Sequence, residues 1–171
     1  MARHVALLRG VSPMNLRMPD LKRAMEHAGF TDVRTLLSSG NVAFDTRAAN
    51  GEAIARRAEA AMDAVLGRRF LTHVRTSAHL QALVASDPYA GVALPPGAKC
   101  IVAFLRRPPP PDLVLPIEHA GAVIVAHRGH EVLSYYVPGA TGPAFMGLLE
   151  RTYGKDITTR TLDTVRKCAA A

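Results

Sequence analysis

The chain has 171 residues, 49% of them hydrophobic, enough for one domain or two small ones with a real core, and too apolar for intrinsic disorder. Its two cysteines cannot build a disulfide framework, and no apolar run has the length of a membrane span or signal peptide, so a reduced, cytoplasmic setting is expected. The formal charge is +7, and of the 21 basic residues only Lys22, Lys99, Lys155 and Lys167 are lysines, leaving 17 arginines.

Residues 4–9 (HVALLR) form a short apolar run, read as a buried strand. A loop follows to Arg17. Pro19 sits where a helix favours its first proline, Leu21, Ala24, Met25 and Ala28 recur at helical spacing, and Gly29 is a natural stop. Residues 32–37 and 42–45 read as two strands joined by Ser38-Ser39-Gly40-Asn41, where Gly and Asn tolerate the positive φ of a turn. Asn50 can cap a second helix with Ile54, Ala58, Ala61 and Val65 inward, ended by Gly67. Residues 70–75 are a fourth strand. The order β-α-β-β-α-β is the split βαβ, or ferredoxin-like, arrangement. Ser77 can cap a connecting helix that carries Leu80, Leu83 and Val84 and closes at Asp87-Pro88.

Residues 88–98 read as loop, and residues 99–105 (KCIVAFL) as the clearest buried strand. Arg106, Arg107 and the stiff run Pro108 to Pro111 follow, and residues 113–119 can hold one helical turn at most. Residues 122–126 and 131–137 are strands joined by His127-Arg128-Gly129-His130. Thr141 can cap a helix with Phe145, Leu148 and Leu149 inward, ended by Gly154; residues 156–159 suit a short edge strand. Thr161 starts a last helix with Leu162, Val165 and Cys168 on one face. The second half echoes the first with its first helix degraded by proline. The expected fold is α+β, a duplicated ferredoxin-like (split βαβ) sandwich of antiparallel sheets with helices on one face. It divides into residues 1–76, a connecting helix and loop over 77–98, and a second, degraded subdomain with a C-terminal helix over 99–171. The duplication rests on element order, since no residue-level repeat is visible.

An arginine excess suggests an anionic partner, because the planar guanidinium binds two phosphate oxygens at once. Scattered surface arginine is equally what an Ala-, Arg- and Pro-rich chain carries idle, and no run of five like charges forms a basic tail. Topology narrows the choice. In a split βαβ the end of strand one, the start of helix one and the turn between strands two and three share one edge. That edge gathers Arg9, Gly10, Arg17 and Ser38 to Asn41, and the N-terminus of a helix points there with free N–H groups. The same construction in the second half gathers Arg106, Arg107, His127, Arg128 and His130. Arg23, Arg56, Arg57, Arg68 and Arg69 read as ordinary helix surface. Arg9 has an alternative use as a partner of Asp20, and Ser38 to Asn41 as nothing more than a good turn.

Catalytic signatures are scarce. No nucleophile elbow or triad surrounds Ser38, Ser39 or the seven histidines, and neither standard glycine-rich phosphate loop is present. The pair His127 and His130 lacks third and fourth ligands, so no metal and no cofactor is expected. Only Phe44 and Phe104 offer aromatics on central strands, too few for an RNA-stacking sheet. Tyr135 and Tyr136 point to opposite faces of one strand, so one of them should pack under a helix.

Four segments carry a resemblance: Val5-Ala6-Leu7-Leu8-Arg9-Gly10, Gly29-Phe30-Thr31-Asp32-Val33-Arg34-Thr35, Ser38-Ser39-Gly40-Asn41-Val42, and Thr158-Thr159-Arg160 followed by Thr164-Val165. Over residues 5–167 the chain resembles an uncharacterised bacterial family, domain of unknown function 1697. The resemblance implies a duplicated ferredoxin-like α+β fold and no established activity. It marks Arg9, Gly10, Ser39, Gly40, Asn41, Thr159, Arg160, Thr164 and Lys167 as candidate ligand-binding residues. The chain departs from the family's pattern twice. Val11-Ser12-Pro13-Met14-Asn15 stands where relatives have a glycine-rich stretch, which weakens the case for close backbone approach to a ligand. Leu162 stands at the position of a tryptophan, in a chain that has none.

Three functions fit these residues. The first is binding of a phosphate-bearing or other anionic ligand, a nucleotide or nucleic acid, at an Arg-lined edge. The second is a small-molecule enzyme that anchors an anionic substrate on Arg9 or Arg160. The third is an oligomerisation or interaction module built on an edge strand. A monomer or homodimer with no membrane partner is expected.

Overall fold

The computed structural model describes residues 1–139 and 143–171. Within these the chain separates into two units, Met1–Val84 with Arg166–Ala171, and Ala85–Val165. The fold is α+β, with one antiparallel sheet of four strands and another of five.

In the first unit β1 (Ala2–Leu8), α1 (Met18–His27), β2 (Thr31–Leu36), β3 (Asn41–Thr46), α2 (Gly51–Leu66) and β4 (Thr72–Thr76) follow in the expected order. The sheet runs β2-β3-β1-β4, the ferredoxin-like strand order, with β1 antiparallel to both β3 and β4. Its core lies between one sheet face and the two helices. Ala6, Leu8, Val42, Phe44 and Val74 come from the strands, Leu21, Ala24 and Met25 from α1, and Ile54, Ala58 and Met62 from α2. These are the helical-period positions of the sequence, so amphipathic patterning decides which face of each helix turns inward. The Asn50 carboxamide oxygen accepts from the Glu52 and Ala53 N–H groups at 3.0 and 3.1 Å, and Gly67 closes α2 in the left-handed region at φ 67°. The last helix of this unit before the chain crosses over, α3 (Ser77–Ala85), is capped by the preceding residue: the His79 N–H donates to Thr76 Oγ1 at 3.1 Å. Ser77, expected as the cap, instead turns its hydroxyl into buried surroundings without a partner.

The second unit holds β5 (Lys99–Leu105), β6 (Ile117–His119), β7 (Ala122–Arg128), β8 (Glu131–Tyr136), α4 (Ala144–Tyr153) and β9 (Ile157–Thr161). Its sheet runs β6-β7-β8-β5-β9. Apart from β6, that order repeats the first sheet, with β7, β8, β5 and β9 in the places of β2, β3, β1 and β4. The helical turn allowed over residues 113–119 is corrected to a strand. Ile117, Glu118 and His119 pair with Ile124, Val123 and Ala122, so a partner strand rather than local propensity sets this segment. The core under α4 joins Phe145, Leu148 and Leu149 to Ile101, Ala103, Leu105, Ile124 and Val132. Tyr136 packs under α4 against Phe145, ring centroids 4.8 Å apart, as the alternation on β8 requires. The expected cap Thr141 lies outside the described residues. In the final helix, α5 (Leu162–Ala169), the Thr161 hydroxyl accepts from the Thr164 N–H at 3.2 Å, and Leu162, Val165 and Cys168 are buried. Leu162 therefore occupies a core position. Among the described residues no helix is long and apolar enough to cross a membrane.

Candidate functional site

The first edge forms as topology demands. The Leu8 N–H donates to the Gly40 carbonyl at 2.9 Å, which fixes the β2–β3 turn against the end of β1. The Arg9 N–H donates to the Leu71 carbonyl at 2.8 Å, which brings the segment before β4 to the same end. Gly40, at φ 84°, fits because a Cβ there would stand 3.0 Å from both Leu8 Cβ and Val11 Cβ. Asn41 is fully buried, and its amide donates to the Leu36 carbonyl at 3.0 Å and to Ser39 Oγ at 2.9 Å. Ser39, Gly40 and Asn41 thus build the turn. The Gly10–Arg17 loop is locked by Asn15, which accepts from the Ser12 N–H at 2.9 Å and donates to the Gly10 carbonyl at 2.8 Å.

The helix terminus at this edge offers fewer donors than expected. Pro19 removes one N–H from the first turn of α1, and the Asp20 and Leu21 N–H groups both donate to the Arg17 carbonyl at 3.1 Å. Asp20 also supplies the negative charge that the positive end of the helix favours. The Asp20 carboxylate pairs with Arg23 Nη1 at 3.2 Å, three residues along the same helix, so the alternative pairing with Arg9 does not form.

Cationic chemistry concentrates instead in a cleft of about 290 Å³ next to this terminus, whose lining includes Met14, Arg17, Asp20, Leu66, Arg68 and Phe70. Arg17 is exposed, provides no side-chain cap to α1, and makes no ion pair with another described residue. Arg68 is exposed too; its guanidinium carbon lies 4.6 Å from the centroid of the Phe70 ring, and no described carboxylate pairs with it. Its reading as ordinary helix surface is corrected: Arg68 follows the left-handed Gly67, outside α2, and that turn directs it to the cleft. The sequence signal available was the order Gly67-Arg68-Arg69-Phe70, a helix stop and cations ahead of a core aromatic. Its neighbour Arg69 differs, since its Nη2 pairs with Asp63 at 2.6 Å.

The second basic group also assembles at a strand-end edge, where the Leu105 N–H donates to the His130 carbonyl at 2.8 Å. Its side chains have separate partners. Arg107 pairs with Asp156, and Arg128 donates to Ser86 Oγ at 3.1 Å. Arg106 is not without a partner either, while His130 is exposed. His127 Nε2 lies 2.5 Å from the Tyr153 hydroxyl, with the rings edge-on at 5.4 Å. Burial pushes the His127 pKa down and the Tyr153 pKa up. Among the described residues no cluster of three or more His, Cys, Asp or Glu has metal-binding geometry.

The remaining candidates belong to other elements. Thr159 and Arg160 are on β9; Arg160 is buried, with Nη1 donating at 2.7 Å to Thr158 Oγ1 and to the Thr159 carbonyl. Thr164 serves the α5 cap. These three belong to the second unit, Arg9 and Lys167 to the first. Phe44 and Phe104 are fully buried, which withdraws both rings from any base-stacking role.

A family described as "Protein of unknown function (DUF1697)" matches residues 1–132. The chain belongs to this family. No curated protein matches. Among solved structures the chain is similar to a conserved bacterial protein, SP0830, from Streptococcus pneumoniae, with a TM-score of 0.71 and 16% identity, covering 99% of this chain and 97% of that one. At that identity the likeness speaks to fold alone, and fold does not carry function. Any activity of this DUF1697 protein has to be argued from its own side chains.

Proposed function

We propose that the first unit is a binding module for a small phosphate-bearing anion. The observation that carries this is the cleft in which two exposed arginines, Arg17 and Arg68, face solvent without a described acidic partner for either. A guanidinium there keeps its donors open for phosphate oxygens, and the planar fork binds two at once. The Arg9 backbone and the Ser39-Gly40-Asn41 turn act as the scaffold that fixes the end of β1. The cleft is local and its volume small, which favours a compact ligand over a nucleic-acid duplex that tracks a long basic face.

Titration calorimetry with pyrophosphate at low salt tests the reading. Binding is expected to weaken steeply as salt rises, since the contact is charge on charge. The Arg17→Ala/Arg68→Ala double variant should lose it, while Arg56→Ala, which removes an arginine paired with Glu52 on the face of α2, should not. Absence of binding to the parent chain in low salt, or equal loss in both variants, ends the proposal.

A further inference from the structure

An acidic residue lines the same cleft as the two arginines. Asp20 occupies only one carboxylate oxygen on Arg23, and its Oδ2 makes no hydrogen bond among the described residues. In a site for a bare inorganic anion that oxygen is a cost, because it repels the ligand. It becomes a gain only if the ligand brings hydrogen-bond donors together with its phosphate, as a sugar diol or an exocyclic amine does.

The rest of the lining points to a flat partner surface. Phe70 is only 4% exposed, and the Arg68 guanidinium lies against it. The guanidinium carbon sits over the ring at 4.6 Å, and the group stays exposed at the cleft that Arg68 lines. Guanidinium planes stack on nucleobases as well as on aromatic side chains. Met14 stands at the rim at 94% exposure, an apolar and polarisable side chain left in water beside the cleft. A volume of about 290 Å³ lies at the small end of ligand sites, which run from about 300 Å³ upward, so one nucleotide suits it better than a dinucleotide.

Resting on the anion-binding reading above, we infer that the ligand is a mononucleotide. Its phosphates meet Arg17, its base stacks on the exposed guanidinium of Arg68 beside Met14, and its ribose hydroxyls or base amine donate to Asp20 Oδ2. Carboxylate recognition of ribose hydroxyls beside a phosphate site is a known device of nucleotide-binding sites in general.

The experiment compares ADP, ribose 5-phosphate and pyrophosphate by calorimetry on the full chain at one low salt concentration. ADP is expected to bind about tenfold or more tightly than either base-free ligand, the scale of one stacked base. Arg68→Lys keeps the charge but loses the planar face; it should bring ADP down toward ribose 5-phosphate and weaken pyrophosphate by a clearly smaller factor. Asp20→Asn should tighten pyrophosphate while narrowing the ADP preference. Equal affinity for ADP and pyrophosphate overturns the nucleotide inference and leaves the anion site standing. Failure of all three ligands removes both. An ADP preference that Arg68→Lys leaves intact overturns the stacking assignment and with it the inference as drawn.

Discussion

Replacing Gly40 with Ala tests whether the β1 edge is a packed scaffold. Two costs add at this position. The backbone sits at φ 84°, and holding an L-residue in the left-handed region costs about 1–2 kcal/mol. The new methyl would lie 3.0 Å from Leu8 Cβ, Val11 Cβ and Val11 Cγ2. Leu8 is fully buried and its N–H is bonded to the Gly40 carbonyl at 2.9 Å, so retreat strains the strand end as well. Overpacking of this kind costs about 1–3 kcal/mol. The total is about 2–5 kcal/mol. Gly67→Ala in the same unit isolates the first cost, because Gly67 has φ 67° and nothing within 4 Å of its Cβ position. Urea unfolding followed by circular dichroism should place Gly40→Ala about 1–3 kcal/mol below Gly67→Ala. If the two variants unfold together, the turn does not bear on Leu8 and Val11, and the account of this edge fails.

Other expectations follow from single groups. Asn41→Ala strips two donated hydrogen bonds from a fully buried site and should cost about 1–3 kcal/mol, read by the same unfolding assay. Tyr89→Phe should destabilise the second unit by a similar amount, since its buried hydroxyl lies 2.9 Å from the Ile101 carbonyl, 2.8 Å from the Ser134 carbonyl and 3.1 Å from the Ser134 N–H. The burial of His127 and Tyr153 predicts stability that falls off at both ends of the pH scale. The folded His127 pKa is depressed below its ordinary value of 6.5, so the unfolded chain takes up the proton first and stability declines as pH falls below about 6.5. Tyr153 is raised above 10.0, so the unfolded chain loses its proton first and stability declines as pH rises beyond about 10. Thermal melts of the parent and His127→Gln across pH check this; an acid limb equally steep in both would assign it to other groups.

Much of the fold was legible because its signals are local. The Asn50 cap and the Gly67 stop each depend on a residue's own backbone preference, and each stands where the sequence puts it. The hairpin turn at Ser38 to Asn41 is of the same kind, with Gly40 at positive φ. Strand β6 was not legible, since three residues become a strand only by pairing with β7 across the Ala120-Gly121 turn, where both residues have positive φ. The site was legible as an edge and illegible in its chemistry. Sequence placed Arg9, Gly10 and the turn together, but it could not show that Asn41 is spent on the Leu36 carbonyl or that Pro19 and Asp20 blunt the end of α1. His127 and Tyr153 meet across 26 residues of separation, with no pattern to announce it.

The arginine excess takes its meaning from how the acids are distributed. Arg3 is shared between Asp32 and Asp45, Arg34 takes Asp32, Arg56 takes Glu52, and Arg69 takes Asp63. The exposed pairs among these, those of Arg34, Arg56 and Arg69, add little to stability, about 0–1 kcal/mol each. Their consequence here is that they leave particular arginines over. Arg47 is one; it lines a separate cleft of about 300 Å³. Arg57, which lines it too, is tied to the Ala28 carbonyl at 2.7 Å and to the Phe30 ring at 4.8 Å, so a single open guanidinium remains there. In the cleft beside α1 two open guanidinium groups outweigh Asp20, whose charge Arg23 already offsets. A net charge of +7 says nothing of location, but unpaired cations in a shared concavity do, because overlapping fields raise the local concentration of an anion where two isolated cations on a flat face would not.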